Sequence, residues 1–416
     1  MPRTTVVIIG GGQAGLAMSH CLSTRGIEHV VLERGQVGER WRQHGWDSLR
    51  LLTPNWMTRL PGFAYSGPDP DGFMATIELV SLLEQYAANS RAPLEPRTTV
   101  RSVEPSPEGF RVTTDRAEWC AAAVVIATGY CERPAIPSIS TRLAPWVLQL
   151  APEAYRHPEQ LPNEGVLIVG ASSTGVQLAD EIQRSGRPVS LAVGRHTRLP
   201  RRYRGHDILW WLDRLGVLSQ DASSVHDLAA SRAQPSLQLV GRADHATIDL
   251  TTLRDRGVRL VGRVRTIQYA RVEFADDLIS RTAAADLKLA TIRLRIDAYA
   301  RSAGLDAVEA EPFVPTWSIS PEPVSRLDLR RERIGTVIWA TGYRRMYPWL
   351  HVPVLDRRGE IAHHAGVTAY PGLYVLGMNF QRRRNSSFID GVGGDAEYLA
   401  QHMATAASSR GVQRYA

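Results

Sequence analysis

Lysine is almost missing from this chain: Lys288 is the only one, and arginine supplies nearly all the positive charge. The net charge is +7 and the sequence pI about 9.5, and the charge is scattered along the chain. There is no basic stripe and no aromatic-interleaved patch of the kind that tracks a phosphate backbone, so nucleic acid is excluded as a partner. Cysteine is scarce as well. Cys21, Cys120 and Cys131 form no closely spaced pair, which argues against a redox-active disulfide and for a reducing compartment. No run approaches the ~18 apolar residues of a membrane span. Met1 leads almost at once into a strand, and a cytoplasmic protein is expected. His351 and the pair His363-His364 lack partners at ligand spacing, so no metal is expected.

What the chain does have is glycine at two places. Gly10-Gly11-Gly12-Gln13-Ala14-Gly15 follows the β-branched run Val6-Val7-Ile8-Ile9, and Gly170-Ala171-Ser172-Ser173-Thr174-Gly175 follows Val166-Leu167-Ile168-Val169. Each opens a helical pattern, giving the strand, tight turn and helix order of a dinucleotide site. Glycine lets the backbone turn sharply and approach a pyrophosphate, which then sits on unpaired amides at the helix N-terminus. The first cluster is a full G-x-G-x-x-G; the second has Ser172 at the middle glycine. Plain strand-to-helix packing also uses such turns, but two copies suggest two dinucleotides.

The residues beyond each turn differ. Counting 18 positions from Gly15 reaches Glu33, at the end of a second strand over 29–32, where an acid accepts hydrogen bonds from ribose hydroxyls. The same count from Gly175 reaches Val193, followed by Gly194-Arg195-His196. No acid occurs between Gly186 and His206, whereas Arg187, Arg195, Arg198, Arg201, Arg202 and Arg204 do. An arginine grips a ribose 2′-phosphate and an acid repels it, which favours NADPH over NADH, with Arg195 as the phosphate contact.

Between the clusters, residues 38–63 show little periodicity and many aromatics, the mark of a functional loop wrapping a flat ligand. An amphipathic helix over 77–89 and strands over 99–103, 110–114 and 122–126 follow. The last of these ends in Ala127-Thr128-Gly129-Tyr130, and the ending recurs at Ala340-Thr341-Gly342-Tyr343. Further on, 258–261 reads as a strand and 283–300 as a long helix carrying Leu287, Ile292, Leu294 and Ile296. Residues 309–323, with four prolines, read as a returning linker. His206, Trp210 and Trp211 are candidates to line a cleft, with core packing the alternative.

The two glycine turns, each followed by an A-T-G-Y strand end, resemble the flavin-containing monooxygenase superfamily. The run from Trp46 to Trp56 and Tyr155-Arg156-His157-Pro158 are most similar to its short bacterial oxidoreductases and to the plant indole-pyruvate monooxygenases. The resemblance implies an α/β fold of two Rossmann-like dinucleotide-binding domains, the NADPH domain inserted into the FAD domain. The expected division is 1–150 for FAD, 151–325 for NADPH with a helical and linker insertion at about 220–325, and 326–416 for the return to FAD. By motif match, Gly10, Gly12, Gln13, Ala14 and Gly15 cradle the FAD pyrophosphate and Glu33 takes the ribose. Trp41 is placed near the flavin, Asp390 opens a helix that faces it, and Arg34, Val103, Thr128 and Gly129 are further cofactor-binding candidates. Gly170, Ser172, Ser173, Thr174, Gly175 and Arg195 form the NADPH set, and Thr341 and Gly342 are further cofactor-binding candidates.

The activity the resemblance implies is oxygenation of a small organic molecule, at nitrogen, sulfur or a carbonyl carbon. NADPH delivers hydride to flavin N5 and O2 adds at C4a to give a (hydro)peroxyflavin. Thr53, Asn55, Arg42 and Tyr343 are the expected catalytic groups, the substrate and O2 the partners, and a homodimer is left open. The family fingerprint F-x-G-x-x-x-H-x-x-x-Y is altered: Pro145, Val147 and Ala151 replace Phe, Gly and His, and Tyr155 alone remains. An NADPH-dependent reductase that inserts no oxygen therefore stands as the alternative, with a non-catalytic FAD-retaining scaffold as a third reading.

Overall fold

The computed structural model describes residues 1–316 and 324–413. Its first unit starts with β1 (Arg3–Ile9), α1 (Gln13–Ser23) and β2 (His29–Leu32), then α2 (Thr76–Asn89), β3 (Leu94–Glu95), the hairpin β4 (Val100–Ser106) and β5 (Gly109–Thr114), and β6 (Glu118–Ile126). The second unit runs through β7 (Leu148–Leu150), β8 (Gly165–Val169), α3 (Ser173–Arg184), β9 (Val189–Ala192), α4 (Leu250–Asp255) and β10 (Arg259–Val261). It continues through β11 (Val264–Gln268), β12 (Arg271–Phe274), α5 (Leu278–Ser302), β13 (Arg326–Asp328) and β14 (Ile334–Trp339). The chain then returns with β15 (Leu373–Val375) and α6 (Ile389–Gln413).

The two units repeat one plan. Parallel pairing gives the order β15-β6-β1-β2-β3 in one sheet and β7-β14-β8-β9-β10 in the other. β5 joins the first sheet antiparallel to β6, and β11, β12 and β13 form a separate antiparallel sheet. Both faces of the first sheet are covered, so Val6, Val7, Ile8 and Ile9 form an unbroken apolar run rather than an alternating one. On one side α1 packs Leu16, Ala17 and Cys21 against Val392, Ala396 and Leu399 of α6; on the other, Tyr347, Leu350, Val352 and Ile361 close over Val7, Val124 and Val375. The second unit is inserted between β6 and β15, as an α/β arrangement of two dinucleotide-type domains requires.

The expected end of the inserted domain at residue 325 falls short of β14, which pairs with both β7 and β8 in the second sheet. Each A-T-G-Y strand end lies beside its own glycine turn, β6 next to β1 and β14 next to β8. The long helix extends from Leu278 to Ser302, beyond the expected 283–300, and its buried face carries Ala285, Leu289 and Ile296. Leu287 and Leu294 point to solvent, at 71% and 70% exposure. Of the expected linker, residues 309–315 lack regular structure, and 317–323 lie outside the described residues. Among the described residues no helix is long and apolar enough to cross a membrane.

Candidate active site

The two glycine turns match closely. The Gly10 amide donates to the Leu32 carbonyl at 2.8 Å, and the Gly170 amide to the Ala192 carbonyl at 3.0 Å. Both glycines take the left-handed side of the backbone map, with φ of 111° and 110°. A Cβ on Gly15 would stand 1.8 Å from the Gly10 carbonyl oxygen, and one on Gly175 the same distance from that of Gly170. A Cβ on Gly10 would meet the Ala127 carbonyl at 2.6 Å, and one on Gly170 that of Ala340 at 2.3 Å. The missing Cβ at Gly10 and Gly170 is thus what lets each turn sit against the neighbouring strand end.

Both helices also start without a cap. Gly12 and Ser172 are extended N-cap residues, neither provides a side-chain cap bond, and neither α1 nor α3 has an acid in its first turn. Serine is a favoured cap, so its hydroxyl standing back leaves first-turn amides for something else. A Cβ on Gly12 would meet nothing within 4 Å, which marks open space in front of those amides. An anion fits both places.

Beyond the turns the units diverge. Glu33 is buried, and its carboxylate accepts from the Gly11 amide at 2.6 Å and the Gly35 amide at 2.8 Å. Val193 takes the matching place in the second unit, its amide bound to the Val261 carbonyl at 2.8 Å. The six arginines after the second turn separate sharply. Arg198 pairs with Asp249 and Asp286 at 2.7 Å each, Arg201 with Asp207 at 2.6 Å, and Arg204 with Asp297 at 2.7 Å. Arg187 and Arg202 bind loop carbonyls. Arg195 is exposed and has no ion pair among the described residues.

The loop that carries Thr53 and Asn55 spans the units. Trp46 packs in the core of the second unit with Tyr155 and Leu161, and Asp47 donates to the Arg156 carbonyl at 2.9 Å. The Arg156 guanidinium in turn binds the Gln43 and Gly45 carbonyls, Ser48 donates to Glu181 at 2.6 Å, and Arg201 donates to the Leu52 carbonyl at 2.8 Å. Asn55 is buried and donates to the Asp69 carbonyl at 2.9 Å, while its Oδ1 has no partner. Thr53 is half-buried beside it.

Not every expected residue joins this cleft. Arg42 is exposed and bound to Glu84 of α2, facing away. Arg40, two positions earlier on the same short helix, turns inward instead, with its guanidinium 5.1 Å from the Tyr343 ring centre and 3.5 Å from Glu153. Sequence reasoning missed it, because residues two apart on a helix point in different directions. Burial raises the Tyr343 phenol above its usual pKa, with Cys131 nearby adding to the effect. Val103 is fully buried, its amide donating to the Trp349 carbonyl and its carbonyl accepting from the His351 amide. Asp390 lies inside the first turn of α6, bound to Arg59 and Asn385. Trp211 is core, its indole N–H on the Tyr203 carbonyl at 2.6 Å, while His206 stacks on Trp210 at 4.1 Å beside a small cavity. Trp41 packs against the core of the first unit and Thr341 donates to the Ala135 carbonyl at 2.9 Å; Gly129 and Gly342, which follow Thr128 and Thr341, have φ of 76° and 87° with open space beside them, and Arg34 follows Glu33 directly. All three cysteines are free.

Near the start of α6, Asp395 is 1% exposed and its Oδ2 has no partner; Arg382 approaches it only to 3.8 Å. Burial pushes its pKa up to about 6, against the pull of Ser386 and Arg382. A carboxyl raised on folding favours the native state below its unfolded pKa, and that contribution is lost as pH rises through about 6. Asp395→Asn is therefore expected to melt near wild type at about pH 3, below the unfolded pKa, and to gain on the order of 2 kcal/mol at pH 8, read as Tm at the two pH values. Equal shifts at both would show that Asp395 is ionised without cost.

The family profile described as pyridine nucleotide-disulphide oxidoreductase matches residues 7–213. An "uncharacterized oxidoreductase CzcO-like" of Geobacillus kaustophilus is 32% identical over 95% of this chain and 96% of its own length. A probable indole-3-pyruvate monooxygenase of Arabidopsis thaliana, YUCCA1, is 32% identical over 45% of this chain and 46% of its own. Among solved structures, a flavin-containing monooxygenase from Stenotrophomonas maltophilia superposes with a TM-score of 0.67 at 21% identity, covering 98% of this chain and all of that one.

Proposed function

We propose that this chain, which belongs to the CzcO-like oxidoreductases within the pyridine nucleotide-disulphide oxidoreductase family, is an FAD- and NADPH-dependent monooxygenase of a small organic molecule. The observation that carries the reading is a pair of matching, uncapped glycine turns made unequal by Glu33 on one side and by Val193 and Arg195 on the other. Support for oxygen insertion comes from the monooxygenase names of the plant relatives and of the solved structure.

In this reading residues 1–150 and those after β14 take FAD, and the unit from 151 through β14 takes NADPH. Gly10, Gly12, Gln13, Ala14 and Gly15 hold the FAD pyrophosphate on the amides of α1, and Glu33 holds the ribose through the lone pairs that Gly11 and Gly35 leave free. Gly170, Ser172, Ser173, Thr174 and Gly175 do the same for NADPH, and Arg195 reaches its 2′-phosphate. Bound FAD supplies hydride acceptance and the activation of O2. The chain orients and encloses: the 43–56 loop, tied to Glu181, Arg156 and Arg201, closes the cleft, and the free Asn55 Oδ1 offers an acceptor there. Arg40 and Tyr343 stand where Arg42 and Tyr343 are expected from sequence.

Mixing the NADPH-reduced protein rapidly with O2 tests the oxygenase part. A flavin spectrum that returns to the oxidised form through a distinct, longer-lived species supports it. Single-phase reoxidation with stoichiometric hydrogen peroxide assigns the reductase reading, which the buried Ala151 methyl at the expected histidine position favours. Separately, Arg195→Glu is expected to lower the NADPH-to-NADH ratio of kcat/KM by about 100-fold, the size of one charged hydrogen bond replaced by repulsion. An unchanged ratio would place the phosphate elsewhere.

A further inference from the structure

At the end of β15 the chain passes Gly377, where an added Cβ would lie 3.0 Å from Ala14 Cβ, so residues 378–381 emerge at the carboxyl edge of the first sheet beside its glycine turn. Ligands of open α/β sheets bind at that edge. Two guanidinium groups from different parts of the chain reach this segment. Arg232, from the insertion of the second unit, donates through Nε and Nη2 to the Phe380 carbonyl at 3.3 and 3.2 Å. Arg345 donates to Met378 Sδ at 3.3 Å and to Glu360 at 2.6 Å. Arg232 has no acid partner among the described residues, which leaves Glu360 as the acid bound to this pair of arginines.

The other groups here are also donors. His363 lies close enough to both arginines that they, after burial, hold its pKa down to about 4, so its ring is neutral. Its Nδ1 accepts from the Gly366 amide at 3.2 Å, which leaves Nε2 carrying the proton. Gln381 is 1% exposed, its Oε1 accepts from the Met378 amide at 3.2 Å, and its Nε2 is buried without a partner. A Cβ on Gly366 would come within 2.3 Å of that Nε2, so the idle amide belongs to the same cluster. Two guanidinium groups, an imidazole N–H and an orphaned amide N–H, matched by one carboxylate, form a donor set waiting for an anion.

We propose that this cluster binds the carboxylate of the substrate, making the enzyme selective for small organic acids. The inference rests on the monooxygenase reading for the word substrate, but binding is read without turnover and so stands or falls apart from oxygen insertion. The FAD-loaded protein is titrated with phenylacetate and with its neutral counterpart phenylacetamide, following the bound-flavin spectrum and the melting temperature. Phenylacetate is expected to bind saturably and at least about 10-fold more tightly than the amide, and Arg232→Met to abolish that difference while keeping its FAD. Should that variant fail to fold, Arg345→Met combined with Glu360→Gln removes a guanidinium together with its acid and is expected to act alike. Equal binding of acid and amide, no saturable binding of phenylacetate, or unaltered selectivity in the variants overturns the proposal. Loss of FAD from a folded Arg232→Met protein also overturns it, by assigning the cluster to the cofactor's phosphates.

Discussion

Gly15→Ala is expected to yield a folded protein without flavin, and Gly175→Ala a yellow protein that NADPH no longer reduces. The two substitutions are sterically the same, since each new Cβ would sit 1.8 Å from a carbonyl oxygen of its own turn. Backbone must move in both, because the obstructing atom is not the end of a flexible side chain. Opening the turn displaces the first-turn amides of α1 or α3, which have no other cap to hold them. The expected loss is at least about 100-fold in affinity for the nucleotide concerned, ~2.7 kcal/mol. Flavin absorbance of the purified proteins and the rate of anaerobic reduction by NADPH separate the outcomes. If Gly175→Ala lost FAD while Gly15→Ala kept it, the assignment of the two sites would be reversed.

The fold and this pair of turns were legible because their signals are local. β-branched runs, positive-φ glycines and a fixed count to Glu33 or Val193 lie within some 30 residues, the size of one strand-helix-strand unit. The place of β14 was also present in the sequence, in the repeat of Ala-Thr-Gly-Tyr. Once the first copy is seen to abut Gly10, the second must abut Gly170, and the strand before it must belong to the inserted sheet. What sequence could not show was the fate of charges. The stretch from Arg187 to Arg204 contains no acid, yet Arg198, Arg201 and Arg204 are paired by Asp207, Asp249, Asp286 and Asp297, brought in from outside it. Those pairings leave Arg195 free for a ligand. The choice between Arg40 and Arg42 is likewise set by where one short helix leans, a tertiary fact.

Arg201 is where these tertiary facts meet, and Arg201→Met is expected to have the largest effect on stability. The side chain is 1% exposed, lies 4.8 Å from the Phe73 ring centre, pairs with Asp207 and holds the Leu52 carbonyl. Among the described residues, removing it leaves the buried Asp207 carboxylate with the Leu209 amide as its hydrogen-bond partner, at 2.8 Å. An uncompensated buried charge costs about 3–5 kcal/mol, which for a protein of this size lowers Tm by roughly 5 °C. Methionine fills much of the volume, so the loss is electrostatic rather than a cavity. Arg201→Met with Asp207→Asn should then recover most of the melting temperature, because asparagine keeps the cap on the Leu209 amide without the charge. It should not recover the tie to Leu52. If the 43–56 loop encloses the cleft as proposed, the double variant will be stable yet leak, oxidising NADPH with more hydrogen peroxide per turnover than wild type. A double variant as destabilised as the single one would show that the Leu52 bond, and not the buried pair, is what the protein loses.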